Sequence, residues 1–139
     1  MNWRNVLIIA ALAAAGFAAP ARADPCESAL PSREGTVFSG TVRYVGDGDS
    51  LCVGRTGNPA EWIEVRLADF NAPELHEPGG SAGKQALERL VLGRPVTCTT
   101  ERGRSGRVIS FDRVIARCRT GQTNLGDLLR AAGISEGGH

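Results

Sequence analysis

The stretch GTVFSGTVRYVGDGDSLCVG, residues 35–54, predicts a β-hairpin and with it the class of the fold. Its first eleven residues are rich in β-branched and aromatic side chains that alternate, as in a strand with Phe38, Val42 and Tyr44 on one side. The acidic turn GDGD at 46–49 follows, and SLCVG then reads as a short second strand. This hairpin indicates a domain built mainly from β-strands.

The next segment, EWIEVRLA at 61–68, predicts a third strand. Ile63, Val65 and Leu67 alternate with polar or amphipathic residues and mark the face that packs on a core. Arg66 lies on the opposite face, where a charged side chain is free to act in a site. The three strands form a meander in which the GDGD turn and the end of strand three lie at the same end.

The second half of the chain adds two helices and two strands. A helical stripe of Ala and Leu runs through 81–92, strands are predicted at 95–100 and 111–119, and a second helix at 125–133. The order β-β-β-α-β-β-α fits a mainly β fold, a five-stranded Greek-key barrel of OB-fold type with a helix after strand three and a C-terminal helix. An α+β sandwich has the same elements, so the pattern alone leaves both architectures open.

The N-terminal 23 residues are predicted to be a signal peptide. Arg4 precedes an apolar run at 6–19, and Ala21-Arg22-Ala23 matches a cleavage site. A membrane anchor is the alternative, but the run is shorter than the roughly 20 residues that span a bilayer. We expect a protein that starts at Asp24 and is secreted or periplasmic.

The predicted organisation after cleavage is a tail at 24–35, a single domain at 36–135 and a flexible C-terminus at 136–139. The whole chain carries 16 basic and 15 acidic residues, and loss of the signal peptide removes two arginines. A net charge of about −1 does not attract nucleic acid strongly over long range. Any phosphate recognition must therefore come from a few placed arginines, whose planar forks suit phosphate.

The four cysteines are Cys26, Cys52, Cys98 and Cys118. None forms a C-x-x-C pair, so a zinc site is not predicted. An even count in an exported chain favours two disulfides, with three connectivities open. We prefer Cys98–Cys118, which would join two neighbouring strands, with Cys26–Cys52 tying the tail to strand two.

Two polar turns are candidates for a site. Asp47 and Asp49 occupy the first turn, and NAPE at 71–74 follows strand three. Their oxygen atoms could converge on a hard cation such as Ca²⁺. Asp-rich turns are also common without any ligand, because Asp stabilises its own turn. Each stretch, taken alone, is therefore also compatible with a solvated turn that binds no ligand.

Four motifs, taken in their order along the chain, indicate a function more specifically than either turn alone. VGDGDSL (45–51), VRLADFNAPE (65–74), FDRVIARC (111–118) and NLGDLLRAAG (124–133) resemble the staphylococcal (micrococcal) nuclease family, the secreted thermonucleases. The resemblance runs from about residue 36 to residue 135. It implies an OB-fold barrel that hydrolyses phosphodiester bonds of DNA, RNA or both with calcium. It also implies a monomer with a nucleic-acid substrate and no membrane contact once mature.

The resemblance assigns a metal site to four residues. Asp49 matches the calcium-binding Asp of the family, and Asp47 matches an acid just outside the metal's ligands. Asn71 stands where the family usually has a second Asp ligand. Ala72 would offer its backbone carbonyl to the metal. Asn71 keeps an oxygen but loses a negative charge, so calcium affinity should fall.

The resemblance also assigns the groups that carry out the reaction. Glu74 matches the Glu proposed to activate the attacking water, while Arg66 and Arg113 match the arginines that hold the scissile phosphate. Two guanidinium groups and a divalent cation would stabilise the negative charge of the transition state. His76 has no counterpart with a role, and we expect it to be solvated.

A second function remains open from the sequence. The chain could be a catalytically weakened OB-fold module that binds single-stranded nucleic acid or oligosaccharide. Such modules use aromatic stacking platforms, and aromatic residues are few after the signal peptide: Phe38, Tyr44, Trp62, Phe70 and Phe111. Phe111 also replaces a Tyr of the family. The presence of Asp49, Glu74, Arg66 and Arg113 together favours catalysis.

Overall fold

The computed structural model describes residues 24–137 and Gly16. The predicted signal peptide therefore lies outside the described residues except for Gly16, and so do residues 138 and 139 of the predicted C-terminus. Within the part that is described, no helix combines the length and the apolar character needed to cross a membrane.

The order of the elements follows the predicted one, with two short strands added. In residues 24–137 the chain forms β1 (Val37–Asp47), β2 (Ser50–Gly54), β3 (Ile63–Leu67), α1 (Gly80–Val91), β4 (Pro95–Thr100), β5 (Ile109–Ser110), β6 (Arg113–Thr120), β7 (Thr123–Asn124) and α2 (Leu125–Ala131). The added strands β5 and β7 each pair with β6. The helix α1 comes between β3 and β4, as the sequence pattern predicted.

Five of these strands close into a barrel. β1 pairs antiparallel with β2 and β4, β2 with β3, and β4 with β6. The parallel pairing of β3 with β6 closes the ring, with Val65 opposite Val114. The fold is therefore mainly β with a closed five-stranded, OB-fold-like barrel and two helices, and the α+β sandwich is excluded.

The barrel interior is filled by aliphatic side chains from alternate strand positions. Leu51, Val65 and Val114 are at most 1% exposed, as are Leu87 of α1 and Leu129 of α2. Burial of one such side chain stabilises the fold by roughly 1.5–3 kcal/mol. The two helices thus pack against the barrel and leave the loops at one end to form a site.

The alternation predicted for β1 breaks partway along the strand. Val42 and Val45, three residues apart, are both buried, at 1% and 3% exposure, while Tyr44 is only partly buried. The pairing of β1 with β2 shifts register between Val42 and Tyr44 and again between Val45 and Asp47. An extra residue in a strand moves the following side chains to the other face. The prediction that Tyr44 continues the face of Val42 is therefore wrong.

Both preferred disulfides are present. Cys98 of β4 and Cys118 of β6 lie directly opposite each other and are bonded, and Cys26 is bonded to Cys52 of β2. A disulfide that closes a loop of about 20 residues stabilises a fold by roughly 3 kcal/mol in the chain-entropy model. Paired disulfides of this kind are typical of proteins from oxidising compartments.

Candidate functional site

Asp49 connects the β1–β2 turn to the loop after β3. Its side chain is nearly buried, at 7% exposure. The backbone N–H of Asp49 donates to Asp47 Oδ1 at 3.1 Å, and its carbonyl accepts from Leu67 N at 2.8 Å. Its Oδ2 accepts the backbone N–H of Ala72 at 2.7 Å. The predicted convergence of the two polar turns therefore exists, with a carboxylate at its centre.

Arg66 lies between the two turns and bonds to both. Its Nη1 is 3.2 Å from Asp49 Oδ2 and donates to the carbonyls of Leu67 and Phe70 at 2.7 and 2.8 Å. Its Nη2 donates to Asn71 Oδ1 at 2.8 Å. The side chain is 25% exposed. Most of the guanidinium donors are therefore bonded to the protein itself, and one edge faces the solvent.

Arg113 is the first residue of β6, and its side chain has fewer bonding partners than that of Arg66. The parallel register between β3 and β6 brings it to the same end of the barrel as Arg66, and both side chains line one cleft of about 460 Å³. The side chain of Arg113 makes no hydrogen bond or ion pair within residues 24–137. It nevertheless lies close enough to Asp47 and Glu64 to attract both carboxylates. Its guanidinium is available to an anionic ligand.

The cleft combines cationic and aromatic groups. Arg66, Arg104 and Arg113 contribute positive charge, and Phe111 at its edge is 87% exposed. Asp69 and Glu136 also line the cleft, but both carboxylates have cationic partners outside it, Arg117 at 3.8 Å for Asp69 and Arg130 at 3.5 Å for Glu136. The uncompensated charge of the cleft is therefore positive, as an anionic ligand requires.

The paired acids of the β1–β2 turn differ in their proton affinity. Burial, the neighbouring Asp47 carboxylate and a hydrogen bond to it raise the pKa of Asp49 to about 7, against the opposing charge of Arg66. Burial alone would also raise the pKa of Asp47, but hydrogen bonds from Asp49 and Ser50 and the charge of Arg113 lower it overall. Like charges this close do not both ionise readily. A cation bound beside the pair would therefore favour the ionised form of Asp49.

Some of the oxygen atoms near Asp49 are suited to bind a hard cation, but others are already engaged in contacts within the protein. Asp49 and Asp47 offer carboxylate oxygens and Asn71 an amide oxygen, which are the ligand types that Ca²⁺ prefers. Asn71 Oδ1 is shared with Arg66, and Ala72 directs its N–H rather than its carbonyl to Asp49. No group of three or more His, Cys, Asp and Glu side chains suited to a metal occurs among the described residues. Near Asp49 a cation would therefore meet at most two carboxylates from residues 24–137, Asp49 and Asp47, together with the Asn71 amide oxygen.

The Glu74 side chain is not bonded to these groups within residues 24–137. It is exposed in the turn before α1, and its backbone N–H donates to Glu77 Oε1 at 3.0 Å. It is not among the residues that line the cleft of Arg66 and Arg113, and its own carboxylate makes no hydrogen bond or ion pair within residues 24–137. His76, two residues later, is exposed as well. Hydrogen bonds and an ion pair join Asp49, Arg66, Asn71 and Ala72, whereas the side chain of Glu74 makes no such bond to them within residues 24–137.

Asn71 has partners that sequence reasoning missed. Its backbone N–H donates to Glu136 Oε1 at 2.9 Å, and its carbonyl accepts from Gly137 N at 2.7 Å. Its Nδ2 donates to the Gly137 carbonyl at 3.4 Å. The segment expected to be a flexible C-terminus thus contacts the predicted metal loop through its first two residues. No local signal indicates this, because the partners are 65 residues apart or more.

Glu64 is a second residue that was missed. Burial, together with a hydrogen bond and the charge of Asp24, raises the pKa of Glu64 to about 7. Cys52 lies opposite Glu64 in the sheet and is bonded to Cys26, so the disulfide holds Asp24 close to this carboxylate. A signal was present, since the alternation of β3 places Glu64 on the same face as Arg66. The candidate site therefore extends toward the start of the tail.

Comparison of the chain with protein-family models and with curated proteins finds no match. Its function must therefore be inferred from the order of its motifs and from the arrangement of Asp49, Arg66 and Arg113 at one end of the barrel.

Proposed function

We propose that the protein is a secreted, calcium-dependent nuclease that hydrolyses phosphodiester bonds of DNA, RNA or both. The observation that carries this proposal is that Arg66, which is paired with the nearly buried Asp49 carboxylate, lines one cleft together with Arg113, whose side chain is unpaired within residues 24–137. A structural ion pair needs no open cleft and no second, uncompensated guanidinium beside it. A site for a phosphodiester needs both.

The arginines would act on the phosphate. In the transition state of phosphodiester hydrolysis, negative charge accumulates on the non-bridging oxygens, and fixed guanidinium donors stabilise it more than the ground state. Arg113 has all its donors available within residues 24–137, while Arg66 offers its solvent-facing edge. Arg113 would therefore carry most of the phosphate contact, and Arg66 would mainly hold the loop of Asn71 in place.

Calcium would be held by Asp49 and Asn71, with Asp47 just outside and with the Ala72 carbonyl as a further candidate ligand. Bound there, the ion would neutralise phosphate charge and acidify a bound water. The neighbouring Asp47 carboxylate helps to raise the pKa of Asp49 to about 7, and a cation beside the two groups would relieve their repulsion, which supports their role as its binding groups. The single full charge of Asp49 among the inner ligands implies weaker binding than a site with two carboxylates would give.

Glu74 would serve as the general base that takes a proton from the attacking water. A carboxylate is suited to this role when it reaches within hydrogen-bond distance of the water, and distances in a ligand-free site are often longer than those in the complex. The exposed carboxylate of Glu74 has no competing partner within residues 24–137. Its acceptance of a proton therefore does not require that another contact be broken.

Phe111 supports a nucleic-acid substrate. Phe111 and Asp112 form the two-residue turn between β5 and β6 and have φ angles of +49° and +61°. Non-glycine residues in this conformation store roughly 1–3 kcal/mol of strain each. The turn nevertheless holds Phe111 87% exposed at the edge of the cleft. An exposed ring kept there at such a cost suits stacking against a base, which contributes about 1–3 kcal/mol.

A non-catalytic module that binds single-stranded nucleic acid or oligosaccharide is the second candidate. It is favoured by the bonded state of Arg66 and by the position of Glu74 outside the cleft. The two candidates differ in one measurable respect, since a binding module forms complexes and leaves the substrate intact.

The deciding experiment is digestion of single- and double-stranded DNA and RNA by the purified protein, in calcium and in EDTA. We expect cleavage in calcium only, and a loss of about 10²–10³-fold in kcat for Arg113→Ala. Arg119→Ala, on an exposed part of β6 outside the cleft, serves as the control and should retain full activity. No calcium-dependent cleavage, or unchanged cleavage by Glu74→Gln, would refute the proposed mechanism.

A further inference from the structure

The loop between β4 and β5 carries three arginines in the segment RGRSGR, residues 102–107. Backbone hydrogen bonds close the loop, from Gly103 N to Arg107 O at 2.8 Å and from Gly106 N to Gly103 O at 2.9 Å. Gly103 packs so closely on β6 that a Cβ atom there would lie 2.4 Å from Ile115 Cδ1. The loop is therefore held in one shape against the barrel.

The three arginines differ in their partners. Arg102 Nε donates to Glu34 at 2.8 Å, and Arg102 Nη1 donates to the Gly106 carbonyl at 2.7 Å. Arg104 makes no hydrogen bond or ion pair with any residue that the structure describes, and it lines the cleft. Arg107 is exposed as well, but it does not line the cleft. Arg104 is thus the arginine of this loop whose uncompensated charge faces the site.

The cleft therefore contains two unpaired guanidinium groups on different elements, Arg113 on β6 and Arg104 on the β4–β5 loop. The carboxylates that line the cleft are paired with other arginines and form no ion pair with Arg104, since Asp69 lies 3.8 Å from Arg117 Nη1 and Glu136 lies 3.5 Å from Arg130 Nη2. One phosphodiester carries one negative charge, and in the proposed function Arg113 and Arg66 already balance it. A second free guanidinium in the same cleft fits a second phosphate.

We propose that Arg104 binds the backbone phosphate next to the scissile one, so that the cleft recognises a polynucleotide with at least two phosphates. This inference rests on the proposed function, because it takes the phosphate at Arg113 to be the one that is cleaved. It adds a subsite on a loop outside the motifs that indicate the reaction. Arg104 would act on substrate binding and on the preference for chain length, not on the chemical step.

The test compares Arg104→Ala with Arg107→Ala, a matched variant that removes the same charge from the same loop. Fluorescence anisotropy in EDTA measures binding of a single-stranded octanucleotide without cleavage. We expect Arg104→Ala to raise Kd about fivefold to tenfold and to reduce the slope of log K against log[salt] by about 0.7. Arg107→Ala should change Kd by less than about twofold, and Arg104→Lys should restore part of the affinity.

The second part of the test measures hydrolysis in the presence of calcium. A dinucleotide with a single phosphodiester cannot reach the second subsite, so Arg104→Ala should cleave it at the rate of the unmodified protein. With the octanucleotide, Arg104→Ala should raise KM and leave kcat unchanged. Because Arg104 is exposed and unpaired, thermal unfolding should not shift, which confirms that the variant is folded.

Three results would overturn the subsite. They are unchanged octanucleotide binding by Arg104→Ala, an equal loss for Arg107→Ala, and an equal loss of dinucleotide cleavage for Arg104→Ala. If the unmodified protein binds the octanucleotide with the expected difference between the two variants but cleaves nothing in calcium, the subsite stands and the proposed nuclease function fails.

Discussion

Arg66 Nη1 lies 3.2 Å from Asp49 Oδ2, and the same guanidinium bonds to Asn71 Oδ1 at 2.8 Å. One side chain thus joins the β1–β2 turn to the loop after β3. The carboxylate that is the best candidate for a metal ligand already has a cationic partner. This arrangement gives Arg66 a structural role in addition to the proposed contact with phosphate.

Arg66→Ala should destabilise the protein by about 2–3 kcal/mol, because it leaves a nearly buried carboxylate without its cation and two carbonyls without donors. Urea unfolding followed by circular dichroism measures the change. Arg119→Ala, whose side chain is exposed and bonds to the Gly121 carbonyl, is the matched control and should shift stability by less than about 0.5 kcal/mol. Equal stability of Arg66→Ala and the unmodified protein would show that the ion pair contributes nothing to the fold.

Asn71→Asp should lower the calcium concentration for half-maximal activity by about tenfold, because it adds a negative charge to the ligands. The new carboxylate would keep the bond to Arg66 but would lose the donor that faces Gly137 O at 3.4 Å. Activity measured over a calcium titration tests the effect. The absence of any shift would mean that Asn71 does not bind the metal.

Glu64→Gln should flatten the dependence of stability on pH in the calcium-free protein. The pKa of Glu64 is raised from its ordinary value of 4.5 to about 7, and the groups that face it are Asp24, Asp112 and Arg113. Between these pH values the native state binds more protons than the unfolded state. The contribution of Glu64 to the free energy of unfolding is therefore fully present below about pH 4.5 and is lost as pH rises through about 7.

Unfolding midpoints in urea from pH 4.5 to pH 8 measure this dependence. Asp49, whose pKa is also raised to about 7, contributes with the same sign, so Glu64→Gln should reduce the slope and not remove it. Asp127→Asn, an exposed carboxylate of α2, is the control and should leave the slope unchanged. A slope in Glu64→Gln equal to that of the unmodified protein would contradict the assignment.

The double variant Phe111→Asn, Asp112→Gly should stabilise the protein and weaken substrate binding. Asn-Gly is the pair best suited to a two-residue hairpin turn with positive φ at both positions. Relief of strain at 111 and 112, with φ angles of +49° and +61°, should add about 1–2 kcal/mol to the free energy of unfolding. Loss of the exposed ring should raise the Kd for single-stranded oligonucleotides about fivefold or more.

Thermal unfolding and fluorescence anisotropy test the two halves of this prediction separately. Asp112→Gly alone keeps the ring and should stabilise the protein while leaving oligonucleotide affinity nearly unchanged. If the double variant binds oligonucleotides as well as the unmodified protein, Phe111 is not a stacking platform.

Much of the fold could be predicted because its signals are local. Period-two alternation identified β3 and placed Arg66 away from the core. The positions of Cys98 and Cys118 in two predicted neighbouring strands favoured their bond, which the structure contains. The face of Tyr44 in β1 was predicted wrongly. A bulge depends on how two strands pair, and the alternation of a single strand does not contain that information.

The sequence by itself favoured a mainly β domain and both disulfides, and it predicted the order of the five longer strands and two helices. It also determined the set of oxygen and guanidinium groups from which a site could be built. Only the tertiary structure decided how those groups are used. It bonded Arg66 to Asp49 and Asn71, left Arg113 and Arg104 unpaired in one cleft, placed Glu74 outside that cleft and brought Gly137 onto Asn71. The reason is physical, since side-chain type and spacing follow from neighbours along the chain, whereas pairing and burial depend on residues that only the closed barrel brings together.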